Sequence, residues 1–138
     1  MSRDIFILQN DAISLLKQLI ATPSCSKQED NSSAIIKNFF DKKNVKADQH
    51  LYNVWARNKY FDASKPTILL NSHHDTVKPN KGYTLDPFSP IEKEGKLFGL
   101  GSNDAGGCLV SLLATFLYFY EKENLKYNFI IAATAEEE

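Results

Sequence analysis

Residues 67–77 read Thr67-Ile68-Leu69-Leu70-Asn71-Ser72-His73-His74-Asp75-Thr76-Val77, an apolar run that passes directly into imidazole and carboxylate side chains. A short run centred on Ile and Leu, entered from the turn-forming Asp62-Ala63-Ser64-Lys65-Pro66, is the pattern of a strand buried in a parallel sheet. A second run of this kind covers Tyr127 to Thr134. Between them lie a long loop, Ser72 to Leu100, rich in Pro and Gly, and a nearly all-apolar stretch, Ala105 to Lys122, that reads as a buried helix. Inside the loop, Ile91 to Phe98 reads as a small hairpin. Strand, loop, buried helix, strand is a βαβ crossover. The class is therefore α/β, a mostly parallel sheet flanked by helices.

Upstream, Ile5, Leu8, Ala12, Leu15, Leu16 and Leu19 recur at helical spacing, predicting a helix from Asp4 to Ile20. Thr22-Pro23-Ser24 ends it, because Pro23 pushes Thr22 out of the α region. A second helix is predicted to begin near Glu29 or Asp30 and to carry Ala34, Ile35, Phe39 and Phe40. Its acidic start and Lys42-Lys43 end suit the helix dipole. Both helices have polar faces, so each is expected to lie on a sheet surface. Tyr52, Val54 and Ala56 alternate with Asn53, Trp55 and Arg57, which predicts a strand.

The chain has 138 residues, 43% of them hydrophobic and 24% charged, enough to build a core at single-domain length. Sixteen basic side chains balance seventeen acidic ones for a net charge of −1. That balance gives no electrostatic reason to bind nucleic acid or an anionic membrane. The longest apolar run, Cys108 to Tyr120, falls short of the ~20 residues that a membrane span needs. Cys25 and Cys108 form no CxxC pattern, so a reducing compartment is expected. Met1 to Asn10 shows no apolar leader and no small-residue cleavage site, and the expected location is cytoplasmic.

Three polar clusters interrupt the apolar framework, each at a strand end or a helix start, where α/β sheets bind ligands. The first is Ser72 to Val77, in which His73 and Asp75 stand two residues apart. The second is Gly99-Leu100-Gly101-Ser102-Asn103-Asp104-Ala105-Gly106-Gly107, where glycines on both sides of Asp104 let the backbone bend sharply. The third is Glu136-Glu137-Glu138, adjacent carboxylates that repel one another unless a cation or proton intervenes. Each also has a structural reading: a loop histidine, a helix cap, a solvated acidic end. Gly99-x-Gly101 lacks the full GxGxxG spacing and no GxxxxGK[ST] is present, which argues against a nucleotide site. Together the clusters supply one imidazole and several carboxylates to one sheet edge. That donor mix suits zinc, cobalt or manganese.

Here the sequence resembles a family. Asn71-Ser72-His73-His74-Asp75-Thr76-Val77 is similar to its H-x-D-x-V segment, Gly99 to Gly107 to its G-x-G-x-x-D-x-x-G segment, and Thr134-Ala135-Glu136-Glu137-Glu138 to its T-x-[DE]-E-E segment. The family is that of acetylornithine deacetylase, succinyl-diaminopimelate desuccinylase, aminoacylase and related zinc carboxypeptidases. The resemblance implies two divalent metal ions, zinc first and cobalt as the alternative. His73 would ligate the first metal, Asp104 would bridge both and Glu138 would ligate the second. Glu137 would be the general base that takes a proton from the attacking water, and Asp75 would steer His73 without being a ligand. A second register remains open, with Glu136 as base and Glu137 as ligand. The resemblance also implies a cis bond at Asp104–Ala105.

The same resemblance makes residues 1–138 the N-terminal part of a catalytic domain, with further ligands and a dimerisation domain beyond Glu138. The parent is then expected to be a homodimer acting on a small N-acyl amino acid, and the 138 residues alone to be inactive. Within the family, Ser72 to Pro79 and Gly101 to Gly106 look most like acetylornithine deacetylases, including the acetylcitrulline type. That implies deacetylation of N-acetylornithine or N-acetylcitrulline in arginine biosynthesis. A desuccinylase or a dipeptidase of the same family is the alternative. Many relatives carry Met-Lys after the bridging aspartate, where this chain has Ala105-Gly106. A metal-free interaction domain on the same fold is the reading from a different class, but the fold alone gives no reason for His73, Asp104, Glu137 and Glu138 together.

Overall fold

The computed structural model describes residues 4–138. Met1–Arg3, the start of the segment read above for a leader, lie outside the described residues. Helix α1 spans Ile5–Ile20, and the Asp4 carboxylate caps it by accepting the Phe6 N–H at 3.0 Å. Helix α2 spans Asp30–Lys42 and helix α3 spans Gly107–Phe119. The strands are β1, Ala47–His50; β2, Asn53–Arg57; β3, Thr67–His73; β4, Ile91–Lys93; β5, Lys96–Phe98; and β6, Asn128–Thr134.

Four strands form one sheet in the order β1-β2-β6-β3, and β4 and β5 form the separate hairpin expected inside the long loop. The α/β class holds, with β3, α3 and β6 as the crossover. The sheet is mixed, however, and not mostly parallel. Only β3 and β6 run parallel, while β1–β2 and β2–β6 are antiparallel. The reason is the two-residue turn Leu51-Tyr52, which folds β1 directly back on β2 with Leu51 at φ 52°. Strand β1 escaped the sequence reading because Asp48, Gln49 and His50 carry no apolar alternation, as an exposed edge strand permits.

Val54 and Ala56 of β2 and Ile131 and Ala133 of β6 are fully buried against the helices. Helix α3 lies on β3 and β6 and is apolar nearly all round, so it has a second side to bury. Helix α1 covers that side. It packs chiefly on α3 and α2 and not on the sheet, contrary to the expectation from its polar face. Phe40 of α2 meets Phe116 of α3 edge-on, with ring centroids 6.3 Å apart. The opposite side of the sheet is less covered. Strand β3 is not the buried strand its apolar run predicted: it lies at the sheet edge, paired on one side only by β6, and its Leu69 is 60% exposed. Among the described residues, no helix is long and apolar enough to cross a membrane. Cys25 and Cys108 are free thiols.

Candidate metal centre

His73 ends β3 and Thr134 ends β6, and the two are register partners. The segments that follow therefore leave the sheet at the same edge, at its carboxyl end. Parallel pairing with β6 carries β3 through to His73, which makes His73 a strand residue of fixed direction.

Asp104 approaches from the other side, on an irregular turn, Ser102–Gly106, that precedes α3. Gly101 enters this turn at φ 75°, and a Cβ there would stand 2.6 Å from the Thr76 methyl group. The glycine thus serves both a left-handed backbone and a close approach to the segment after His73. The Asp104–Ala105 peptide bond is cis.

The Nε2 atom of His73 lies 3.1 Å from Oδ1 of Asp104 and 3.7 Å from Oε2 of Glu137. His73, Asp104 and Glu138 each offer a ligand atom within 4.8 Å of the others. The structure thus brings four of the sequence-selected residues to one place. Asp75, the fifth, is buried beneath them. Its carbonyl oxygen lies 3.2 Å and its Oδ1 3.3 Å from Nδ1 of His73. A carbonyl oxygen can only accept, so Nδ1 carries the proton and the lone pair of a neutral His73 ring sits on Nε2. That lone pair faces the Asp104 carboxylate, an arrangement that needs a proton or a cation between the two acceptors. Burial lowers the His73 pKa, but the Asp104 hydrogen bond and the nearby Asp75 and Glu137 carboxylates outweigh it and raise the net value. One imidazole nitrogen and two carboxylates at this spacing form a donor set that fits a divalent metal such as zinc.

His74 points the other way. It is buried, with Nε2 donating to the Tyr52 carbonyl at 3.0 Å and Nδ1 placed 2.9 Å from the Ser32 hydroxyl. Burial lowers its pKa more than the neighbouring acceptors and carboxylates raise it. It is a packed structural residue.

The segment after β6 is held through its backbone. The Ala135 N–H donates to Oδ1 of Asn53 at 3.0 Å and the Glu136 N–H to Oε1 of Glu29 at 3.0 Å. The Glu138 N–H donates to Oδ2 of Asp75 at 2.9 Å. In the sequence Asn53 reads only as a strand position and Glu29 only as a helix start. No local signal marks either, because their partners lie 82 and 107 residues along the chain.

A sequence profile for peptidase family M20/M25/M40 matches residues 69–138, the half of the chain that holds all three polar clusters. The chain belongs to this family. Over 137 residues it is 30% identical to a succinyl-diaminopimelate desuccinylase of Blochmanniella floridana, a match covering 92% of this chain and 36% of that protein. It is 33% identical over 141 residues to an acetylornithine deacetylase of Proteus mirabilis, covering 91% of this chain and 35% of that protein. Among solved structures, an M20 family metallo-carboxypeptidase from Sulfolobus solfataricus superposes with a TM-score of 0.72 at 24% identity, over 99% of this chain and 31% of that one. That likeness establishes the shared fold. The chain spans about a third of the length of the curated M20/M25/M40 relatives it matches.

Proposed function

We propose that this chain is the N-terminal part of a catalytic domain that hydrolyses the amide bond of a small N-acylated amino acid with the help of two divalent metal ions. The observation that carries this reading is the convergence of His73, Asp104 and Glu138 within 4.8 Å, with Glu137 at their side. His73 would hold one metal, Asp104 would bridge the two and Glu138 would hold the second. Such ions, when bound, acidify a water molecule and polarise an amide carbonyl.

The remaining chemistry belongs to the side chains. Glu137 is exposed beside His73, free to accept a proton from the attacking water and to pass it to the departing amine. Asp75 fixes the His73 tautomer from below and would steer that side chain without being a ligand itself. Three protein donors are fewer than two metals require, and the family resemblance implies that a further acid and a further histidine come from sequence beyond Glu138. The open edge and exposed Leu69 of β3 are consistent with further structure packing there. A dimerisation domain belongs to that remaining sequence, and the whole protein acts as a homodimer.

N-acetylornithine or N-acetylcitrulline is the preferred substrate, on the likeness of Ser72–Pro79 and Gly101–Gly106 to acetylornithine deacetylases. Desuccinylation is the second reading, favoured by the match to the Blochmanniella floridana protein. The test uses the whole protein, stripped of metal and then supplied with zinc or cobalt. N-acetylornithine, N-acetylcitrulline, N-succinyl-diaminopimelate and a dipeptide panel are assayed in parallel. Metal-restored turnover that falls by roughly 10²–10⁴ in Glu137→Gln, with metal uptake kept, supports the reading. If instead Glu136→Gln is the dead variant, base and ligand shift by one residue. Failure to bind metal together with no turnover would leave the non-catalytic reading in place, and turnover indifferent to both substitutions would overturn the glutamate base.

A further inference from the structure

Glu29 is fully buried, yet it is a carboxylate. Its Oε1 accepts one hydrogen bond, from the Glu136 N–H at 3.0 Å, and its Oε2 has no partner among the described residues. Its side chain plays no part in capping α2, which it immediately precedes. A buried carboxylate with half its acceptors unmet costs stability unless something else requires it. The position of its single direct partner indicates what that is. Glu136 sits between the end of β6 and the two carboxylates of the metal centre, and it is a non-glycine residue at φ 58°. Left-handed backbone is disfavoured for such a residue. It persists only when its surroundings impose it. On one side of it Asn53 holds Ala135, and on the other Asp75 holds Glu138.

We infer that Glu29 is a positioning residue: by accepting the Glu136 N–H it locks that residue in the left-handed turn that aims Glu137 and Glu138 at the metal centre. The inference rests on the functional reading above for what the aimed carboxylates do, but not for the lock itself. Glu29 touches neither substrate nor metal and acts only through the backbone of Glu136. Two substitutions separate this role from plain core packing. Glu29→Gln keeps an oxygen acceptor of the same reach. In Glu136→Gly the residue adopts positive φ without steric penalty and no longer needs the lock.

The experiment compares wild type, E29A, E29Q and the E29A/E136G double variant in the whole protein. It reads amide exchange at residue 136, Co2+ affinity by calorimetry and the split of kcat against KM. In wild type the Glu136 amide exchanges slowly, by about 100-fold or more relative to open chain. E29A speeds that exchange, weakens Co2+ by about tenfold or more and lowers kcat by roughly 100-fold with little change in KM. E29Q stays near wild type, and E29A/E136G regains Co2+ affinity.

An unprotected Glu136 amide in wild type overturns the inference. So does a folded E29A that binds Co2+ as wild type does, or an E29Q no better than E29A. If E29A does not fold, wild-type exchange and E29Q decide by themselves. A wild type that takes up no Co2+ removes the metal reading, whereas the exchange readout still decides the lock.

Discussion

Asp75 links two of the residues proposed to hold metal: its Oδ2 accepts the Glu138 N–H at 2.9 Å while its Oδ1 lies 3.3 Å from Nδ1 of His73. One buried carboxylate therefore ties the end of β3 to the segment after β6. Asp75→Asn keeps an acceptor for Glu138 but removes the charge beside the imidazole, so His73 becomes a weaker donor. Zinc affinity is expected to fall by about 10–100-fold in Asp75→Asn. Asp75→Ala loses both contacts and should fall further. Calorimetric zinc titration of the folded variants measures this. An Asp75→Asn protein with undiminished affinity would show that His73 needs no support from the Asp75 charge.

His74 predicts a pH dependence of stability in the metal-free protein. Burial holds its folded pKa below the unfolded value of about 6.5. Between those two values the unfolded state binds the extra proton, so its contribution is present above the unfolded pKa and is lost as pH falls through the folded pKa. His73 has the opposite sign. Its raised pKa adds stability below about 6.5 that disappears as pH rises through the folded value. Removing the second effect exposes the first. In His73→Gln, the melting temperature of metal-free protein should drop as pH is lowered from about 8 to about 5. A flat profile would mean that His74 accepts its proton without penalty.

The candidate site was legible in the sequence because its residues break an apolar pattern. His73, Asp104 and Glu138 each stand where an apolar strand or helix begins or stops, and their types share a metal chemistry that no packing requirement calls for. The crossover that gathers them was legible for the same reason, in the apolar runs of β3, α3 and β6. What stayed hidden depends on partners far along the chain. Strand β1 has no period of its own and exists because a two-residue turn lays it on β2. Helix α1 lies on α3 because α3 has two apolar sides to bury, which the α1 sequence does not reveal. Glu29 and Asn53 are polar residues of ordinary appearance whose backbone partners arrive only when β6 joins β2 and β3.

Gly106 sets two general rules against each other. It lies at φ −59°, ψ −42° at the start of α3, where alanine would be the better helix former by about 1 kcal/mol. A Cβ at this position would stand 2.6 Å from the Gly101 carbonyl oxygen and 2.7 Å from Cδ1 of Leu16. The Leu16 methyl group can turn aside, but the carbonyl cannot, because it accepts the Gly106 N–H at 2.8 Å and closes the turn that carries Asp104. Overpacking therefore outweighs propensity, and Gly106→Ala is expected to destabilise the fold by about 1–3 kcal/mol. The displacement falls on Asp104, so zinc affinity should drop with it. Gly82→Ala is the matched control, since its Cβ would meet nothing closer than 3.4 Å. Denaturant unfolding and zinc titration of both variants test the ordering. A Gly106→Ala protein as stable as Gly82→Ala would show that the turn beneath Asp104 has room to yield.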